Sequence, residues 1–279
     1  MRARARVVAE VGADGRTRLA CLRGEPPLVP RRTGPRPVGD RDGEVQVHLV
    51  GAAAGPLGGD DLRLDVEVGP GARLCLRTVA ASLALPGADG ARSTLEMVVR
   101  VAAGGELRWL PEPLIAAAGC HHLSRSVVEL ADGAALVWRE ELVCGRAGEP
   151  CGDARIDTTV RYAGRTVLRT DLAVGPHADG WAGPAVLGGA KATGSVLVVR
   201  PAWAAGDAPA AAPLGPGAAL LPLAAGPAVL VTATGETARG VRAALDRAAL
   251  DRADLDPTAL DRVQVAVVGP PPAGAQLPT

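Results

Sequence analysis

The side chains best suited to metal chemistry lie in one short segment that reads LRWLPEPLIAAAGCHH. It ends in Cys120, His121 and His122, and thiolate and imidazole groups suit nickel, copper or zinc. Adjacent side chains of an extended segment point to opposite faces, so only Cys120 and His122 can bind the same ion. A tight site normally has four ligands, and the other two histidines are distant in the sequence. We favour an incidental cluster, with a transient metal site as the alternative.

Cys120 could instead act as the nucleophile of a Cys-His hydrolase, with a neighbouring histidine as the base. Such pairs usually meet in space from separate segments, and adjacency along the chain makes the required hydrogen bond awkward. Nucleotide binding is not supported, because LGGAKATGS lacks the order of glycine, lysine and hydroxyl residues found in phosphate loops. The hydrolase remains an alternative, and we expect no permanently bound cofactor.

Several carboxylates form the second group of candidates. Glu112 lies between two prolines that fix the backbone on both sides, and Glu140 and Glu141 lie at the end of a predicted strand. Arg146 and Glu149 follow in a glycine-containing segment. These residues suit either a solvated loop with local ion pairs or a functional surface.

Composition excludes several classes of protein. The 279 residues are 48% hydrophobic, and 30 basic residues balance 30 acidic residues, so neither nucleic acid nor an anionic membrane is an expected partner. The N-terminal segment lacks the apolar run of a secretory signal, which predicts a cytoplasmic protein. Five cysteines without a C-x-x-C pair predict reduced thiols. Prolines interrupt the uncharged stretch 208–235, so we expect no membrane span; its apolar part is either core strand or partner contact.

Alternating residues indicate a β-rich chain. LRLDVEV, Leu62 to Val68, has the period of a half-buried strand, and a glycine turn leads to a second strand, RLCLRT. Two further strand, turn, strand units follow, each about 30 residues after the last, and further strands continue to Thr234. A hairpin cannot cover its own apolar face, so we expect the units to stack.

Near the C-terminus the spacing of apolar residues changes from that of a strand to that of a helix. The spacing predicts one amphipathic helix from Glu236 to about Arg252, with Thr234 as its N-cap and Pro257 beyond its end. A final strand, VQVAVVG, should follow. We predict a single domain over residues 1–268, a loose tail over 269–279, and surface loops at 24–36 and 206–217.

The order of several motifs resembles that of a known family. GGDDLRLDVEVGPGARLCLRT, GGELRWLPEPLI, LADGAALVWREELVCGRAGEP and YAGRTVLRTDLAV follow one another as in the urease accessory protein UreD (UreH) family. The resemblance implies a mainly β fold of stacked antiparallel or β-helix-like strands with one or two helices, and no enzymatic activity. A generic β-rich binding module remains the alternative.

The resemblance also implies a function. Such a protein is a cytoplasmic scaffold that binds the apo-urease structural subunits and recruits UreF and the GTPase UreG for nickel insertion. Transient nickel would pass through the interior, with Glu112, Glu140, Glu141 and Glu149 lining or flanking the path and Arg146 on the same candidate surface. The GCHH tail gains no support from the resemblance, so Cys120 and His122 stay candidates on their chemistry alone.

Overall fold

The computed structural model describes residues 1–34 and 43–247. Within them the chain forms many strands and a single α-helix. The elements are β1 (Arg2–Val11), β2 (Thr17–Gly24), β3 (Leu28–Thr33), β4 (Val45–Gly51), β5 (Asp61–Val68), β6 (Arg73–Thr78), β7 (Ser82–Ala84), β8 (Ser93–Val101), β9 (Glu106–Leu110), β10 (Leu114–Ala116), β11 (His121–Leu130), β12 (Ala135–Cys144), β13 (Asp153–Tyr162), β14 (Arg165–Val174), β15 (Ala192–Val199), β16 (Ala212–Pro213), β17 (Ala218–Leu223), β18 (Ala228–Gly235) and α1 (Ala238–Arg247).

The strands form two sheets that share one core. The first sheet has the order β14-β13-β11-β8-β5-β1-β2. The second has the order β16-β17-β18-β15-β12-β9-β6-β4-β3, with β7 and β10 attached beside the main path. Leu64 and Val160 of the first sheet pack in the same cluster as Leu76 and Trp138 of the second. The predicted mainly β, solenoid-like class is therefore confirmed.

Each strand, turn, strand unit crosses from the first sheet to the second. β5, β8, β11 and β13 pair in parallel in the first sheet, while β6, β9 and β12 pair in parallel in the second. The turns stack as well, since Gly71 donates its N–H to Ala103 and Gly104 donates to Gly133. These glycines have φ values of 67° and 68°, a region that glycine enters without strain.

The expectation of antiparallel hairpins inside each unit was wrong. The two strands of a unit lie in different sheets, and each pairs with the equivalent strand of the next unit. Antiparallel pairs occur where the chain turns directly back, as in β13 and β14 around Ala163 and Gly164. A short glycine turn serves equally well for a hairpin and for a corner between sheets, so only the stacked partners decide the pairing.

Opposite charges face each other along the outer face of the first sheet. Glu67 lies opposite Arg100, Arg100 opposite Glu129, and Glu129 opposite Arg161. Arg161 Nη1 donates to Glu129 Oε1 at 2.6 Å. Since neighbouring strands carry opposite charges at equivalent positions, pairing in this register avoids like-charge contacts.

The helix α1 covers the outer face of the second sheet. Val241, Ala244 and Leu245 pack there in a second apolar cluster with buried residues of β15, β17 and β18. Much of the apolar part of the uncharged stretch is core strand, because Leu220 and Val231 are buried, whereas Leu221 is exposed. No helix in the described ranges is long and apolar enough to cross a membrane.

Two local predictions need correction. Thr234 still belongs to β18, which pairs with β15 through Gly235, so Thr237 accepts the N–H of Gly240 at the helix start instead. The predicted loop at 24–36 contains β3, because an edge strand tolerates Pro30. The expected end of the helix, the strand VQVAVVG and the tail lie outside the described residues.

Candidate functional site

The proline-flanked corner interrupts the second sheet. β9 pairs with β12 up to Trp109, which lies opposite Trp138. Pairing with β12 resumes only in β10, where Leu114 lies opposite Leu142 of β12. Pro111 and Pro113 have no N–H to donate to the ladder between those points. The same interruption separates β6 from β7. We call this interruption the sheet gap, and its rim consists of residues 78–81, 111–113 and 139–141.

A cavity of about 430 Å³ adjoins the sheet gap and extends between the two sheets. Its lining includes Leu64 and Met97 from the inner face of the first sheet. Exposed residues at 53–54 and 79–81 also line it, so the cavity is open to solvent on that side. Glu112, Glu140 and Glu141 all belong to the lining, which brings together three of the carboxylates chosen from the sequence.

The inner face of β11 is polar where it meets the cavity. His122, Ser124 and Ser126 occupy alternate positions and line it, whereas the next two inner positions, Val128 and Leu130, are apolar and buried. Polar groups in an otherwise aliphatic core cost free energy unless they find partners. The polar half of β11 is therefore part of the candidate site.

Glu140 provides the carboxyl between the two sheets. It alternates with Trp138 and Leu142, which point inward, and it accepts a hydrogen bond from Thr158 Oγ1 at 2.6 Å. Burial raises the pKa of Glu140, and the hydrogen bond from Thr158 offsets this only in part. Glu140 takes part in no ion pair within the described residues. It is thus a carboxylate placed where a cation would stabilise its charge.

Glu141 and Glu112 form an ion network with the helix. Arg242 of α1 donates from Nη1 to Glu112 Oε2 at 2.7 Å and from Nε to Glu141 Oε1 at 3.0 Å. Arg139 also contacts Glu141 Oε1, at 3.4 Å, and donates to Asp246 at 2.5 Å. Glu141 Oε2 is buried and has no hydrogen-bond partner among the described residues. One guanidinium therefore bridges two carboxylates at the sheet gap.

Cys120 and His122 have different surroundings. The Cys120 thiol donates to the carbonyl of Asp153, and burial raises its pKa to about 11. His122 Nδ1 lies 2.9 Å from Ser93 Oγ, and burial, with a contribution from His121, lowers its pKa to about 4. His122 lines the cavity, whereas Cys120 does not. The hydrogen bonds of the Cys120 thiol and the His122 imidazole thus go to other groups.

A larger metal cluster is also absent from residues 1–34 and 43–247. No group of three or more His, Cys, Asp or Glu side chains there could hold a metal ion. The Cys120 thiol stays protonated near neutral pH, which makes it a weak nucleophile and a weak ligand. The cavity carboxylates are accordingly the best-supported cation-binding groups.

We expect His122 to make stability depend on pH. Its pKa in the folded chain, about 4, lies below the ordinary value of 6.5, so the unfolded chain takes up a proton first as the pH falls. Stability should therefore decrease between pH 6.5 and about 4, by a contribution on the order of 3 kcal/mol. Urea unfolding across this range measures it.

The matched comparison for this prediction is His122→Asn against His121→Asn. His122→Asn should flatten the dependence of stability on pH. His121→Asn, at an exposed position, should leave that dependence unchanged. Glu140 acts in the opposite direction, because its raised pKa favours folding as the pH falls, so only the difference between variants isolates the histidine. Equal profiles for both variants would refute the assignment.

Arg146 and Glu149 lie apart from the cavity, in the loop between β12 and β13. Arg146 Nε donates to Glu149 Oε2 at 2.7 Å, and its Nη2 contacts the other carboxylate oxygen. The hydrogen bond from Arg146 lowers the pKa of Glu149. Both side chains reach solvent, so this loop carries the local ion pair that the sequence suggested.

Sequence reasoning missed the cationic side of the network. The sequence pattern did not single out Arg139 and Arg242, yet both contact the Glu141 carboxylate. The polar inner positions of β11 and Thr158 were missed as well. The sequence did carry a signal for the polar positions of β11. In the predicted strand SRSVVEL, Ser124 and Ser126 replace the aliphatic residues that an inner face normally carries.

Comparison with known proteins places the chain in a family. A model described as UreD urease accessory protein matches residues 1–264. A protein from Streptomyces avermitilis named urease accessory protein UreD is 47% identical over 247 residues, covering 88% of this chain and 95% of its own. A protein of the same name from Frankia alni is 45% identical over 274 residues, covering 88% and 91%. This chain therefore belongs to the UreD family of urease accessory proteins.

Proposed function

We propose that this protein helps to insert nickel into urease. In this role it binds the apo-urease structural subunits, recruits UreF and the GTPase UreG, and offers nickel a path through its interior. Family membership supports the link to urease, since its relatives carry the name urease accessory protein. The protein acts as a cytoplasmic scaffold rather than as an enzyme, and nickel is its cargo rather than a resident cofactor.

The acid-lined cavity is the observation that carries the nickel part of this proposal. Glu140 lies inside it, and Glu112 and Glu141 lie where it meets the sheet gap. Hydrated divalent ions favour carboxylate, hydroxyl and water oxygens, and β11 adds two serine hydroxyls to the same lining. A cation could exchange part of its water for these oxygens, which lie among the otherwise mostly apolar side chains of the lining.

Binding along such a path must be weak. An ion enclosed by a complete set of protein ligands would not move on, and conduction requires release at each step. The described residues offer no cluster of three or more suitable side chains, which agrees with weak binding. A nickel ion held in one-to-one stoichiometry with nanomolar affinity by the isolated protein would contradict the proposed path.

Arg242 should compete with nickel at the sheet gap. Its guanidinium occupies the position between Glu112 and Glu141 that a divalent cation would otherwise prefer. We expect Arg242→Ala to strengthen nickel binding by the isolated protein by about tenfold, because two carboxylates lose their shared cation. Equilibrium dialysis against nickel measures the change.

Arg239→Ala serves as the matched control, since Arg239 is an exposed arginine on the same helix. It should leave nickel affinity unchanged, and Arg242→Lys should stay closer to the unmodified protein because it keeps a positive charge. Nickel affinity that is unchanged or weaker in Arg242→Ala, with the fold intact by circular dichroism, would show that these carboxylates do not bind the ion.

Co-purification tests the scaffold part of the proposal. A tagged chain would be expressed with the urease structural subunits and UreF, with and without UreG, and the recovered proteins identified by mass spectrometry. We expect the apo-urease subunits and UreF in both preparations and UreG only when it is supplied. Recovery of none of them by soluble, folded protein would contradict the proposal and favour a binding module unrelated to urease.

A further inference from the structure

The chain between β12 and β13 folds back on itself and brings two cysteines together. Gly145 and Gly152 both donate their N–H groups to the carbonyl of Ala116, at 3.0 and 3.1 Å. Each glycine directly follows a cysteine, Cys144 in the first case and Cys151 in the second. Two amides on one acceptor oxygen are close neighbours, so the backbone itself places the two cysteines side by side.

The two thiols are close enough for each to affect the pKa of the other. The Cys151 thiol donates a hydrogen bond to the carbonyl of Gly152 at 3.2 Å. Both also pack in one apolar cluster that includes Leu142 and Ala154. Cys144 is buried and Cys151 is half-buried, and both are free thiols. A small reagent can thus reach the half-buried Cys151, and the buried Cys144 lies next to it.

The loop is already closed in the dithiol form. A Cβ atom at Gly145 would lie 2.6 Å from the carbonyl oxygen of Glu149, and one at Gly152 would lie 2.1 Å from that of Ala117. Only glycine fits such close backbone approaches. The backbone beside both cysteines is therefore held in close contact before any covalent bond forms.

We propose that Cys144 and Cys151 form a reversible disulfide when the protein meets a low-molecular-weight disulfide such as oxidised glutathione. One cysteine thiolate attacks the reagent, forming a mixed disulfide and releasing one reduced thiol. The second thiolate then attacks the protein sulfur of that mixed disulfide, closing the Cys144–Cys151 bond and releasing a second reduced thiol. The two cysteines are oxidised, the reagent is reduced, and both thiol protons pass to the released molecules.

The two thiols have opposite pKa shifts. The interaction with Cys151 lowers the pKa of Cys144, while Cys144 and burial raise the pKa of Cys151 well above its ordinary value, so Cys144 ionises first. The thiolate is the nucleophile in thiol-disulfide exchange, so the pair should react faster than an isolated buried thiol. Cys75, which is buried and whose pKa is raised to about 11 by burial, provides the contrast.

The disulfide would fix the loop that carries Arg146 and Glu149. Those side chains form an ion pair at the surface, and a covalent bond across the base of their loop would restrict the motion of that surface. Redox state would then control how rigidly the loop is presented to a partner. This inference needs no assumption about nickel or urease and can be tested on the isolated chain.

Tryptic mapping tests the proposed bond. Cleavage after Arg139, Arg146 and Arg155 places Cys144 in EELVCGR and Cys151 in AGEPCGDAR, while Cys120 falls in a third peptide. After treatment with oxidised glutathione and alkylation of the remaining thiols, we expect these two peptides to be joined. The number of free thiols should fall by two from the five in the sequence. The Tm measured without a reducing agent should rise by about 5 °C.

Two variants control the experiment. Cys151→Ser should lose both the joined peptides and the rise in Tm, whereas Cys21→Ser, at a cysteine distant from the pair, should keep both. Persistent glutathione on Cys151, a Cys120–Cys151 peptide pair, or no loss of thiols in the unmodified protein would each overturn the proposal.

Discussion

Replacing Glu140 with leucine should abolish urease activation while leaving the chain folded. Its carboxyl has no ion-pair partner in the described part of the chain, and burial already raises its pKa, so removing the charge costs little stability. The main loss is the hydrogen bond from Thr158, worth about 1 kcal/mol. Leucine would put an apolar side chain into the cavity where nickel is proposed to pass.

Urease nickel content measures this effect best. In cells that carry the variant, nickel per urease active site should fall to the background of cells lacking the chain, while co-purification with the urease subunits continues. Glu140→Gln keeps an oxygen ligand and should retain part of the activity. Glu129→Gln, on the outer face of the first sheet, is the matched control and should activate urease normally. Full activation by Glu140→Leu would exclude a path past this residue.

Replacing Glu141 with alanine should destabilise the protein by about 2–3 kcal/mol, because two guanidinium groups lose the buried carboxylate that they share while each keeps one other carboxylate partner. Arg139 and Arg242 both bond to Glu141 Oε1, and the Glu141 side chain is only 2% exposed. Urea unfolding at pH 7 measures the loss. The helix α1 should separate from the sheet first, since Arg242 is one of its direct polar links to the rim of the sheet gap.

The control for this prediction is Glu149→Ala, which removes a carboxylate from an ion pair of solvent-exposed groups. Surface pairs of that kind contribute little to stability. We therefore expect a clearly smaller change than for Glu141→Ala. Similar unfolding curves for both variants would mean that the network at the sheet gap contributes no more than an ordinary surface ion pair.

The strands were predictable from the sequence, but their partners were not. Alternation over Leu62 to Val68 and the glycines after it specify a strand and a turn. Whether β5 pairs with β6 or with β8 depends on contacts between residues far apart in the sequence. The matching charges of Glu67, Arg100 and Glu129 become meaningful only once the strands are aligned, since no local rule relates them.

The same limit applies to the site. Glu112 is placed by its two prolines, a local effect that the sequence reveals directly. Its meeting with Glu141 and Arg242 depends on how α1 docks on the second sheet, which brings residues 130 positions apart into a hydrogen bond. The Arg146–Glu149 pair was predictable because its members lie three positions apart in one loop.

Anomalous X-ray scattering at the nickel edge tests the central claim most directly. Crystals of the protein would be soaked in millimolar nickel, a concentration suited to weak binding. The proposed path predicts partly occupied nickel peaks inside the cavity, near Glu140 and at the Glu112–Glu141 rim, and their loss in Glu140→Leu crystals at the inner position. Nickel found only on the outer surface, with the cavity free of anomalous signal, would contradict the account.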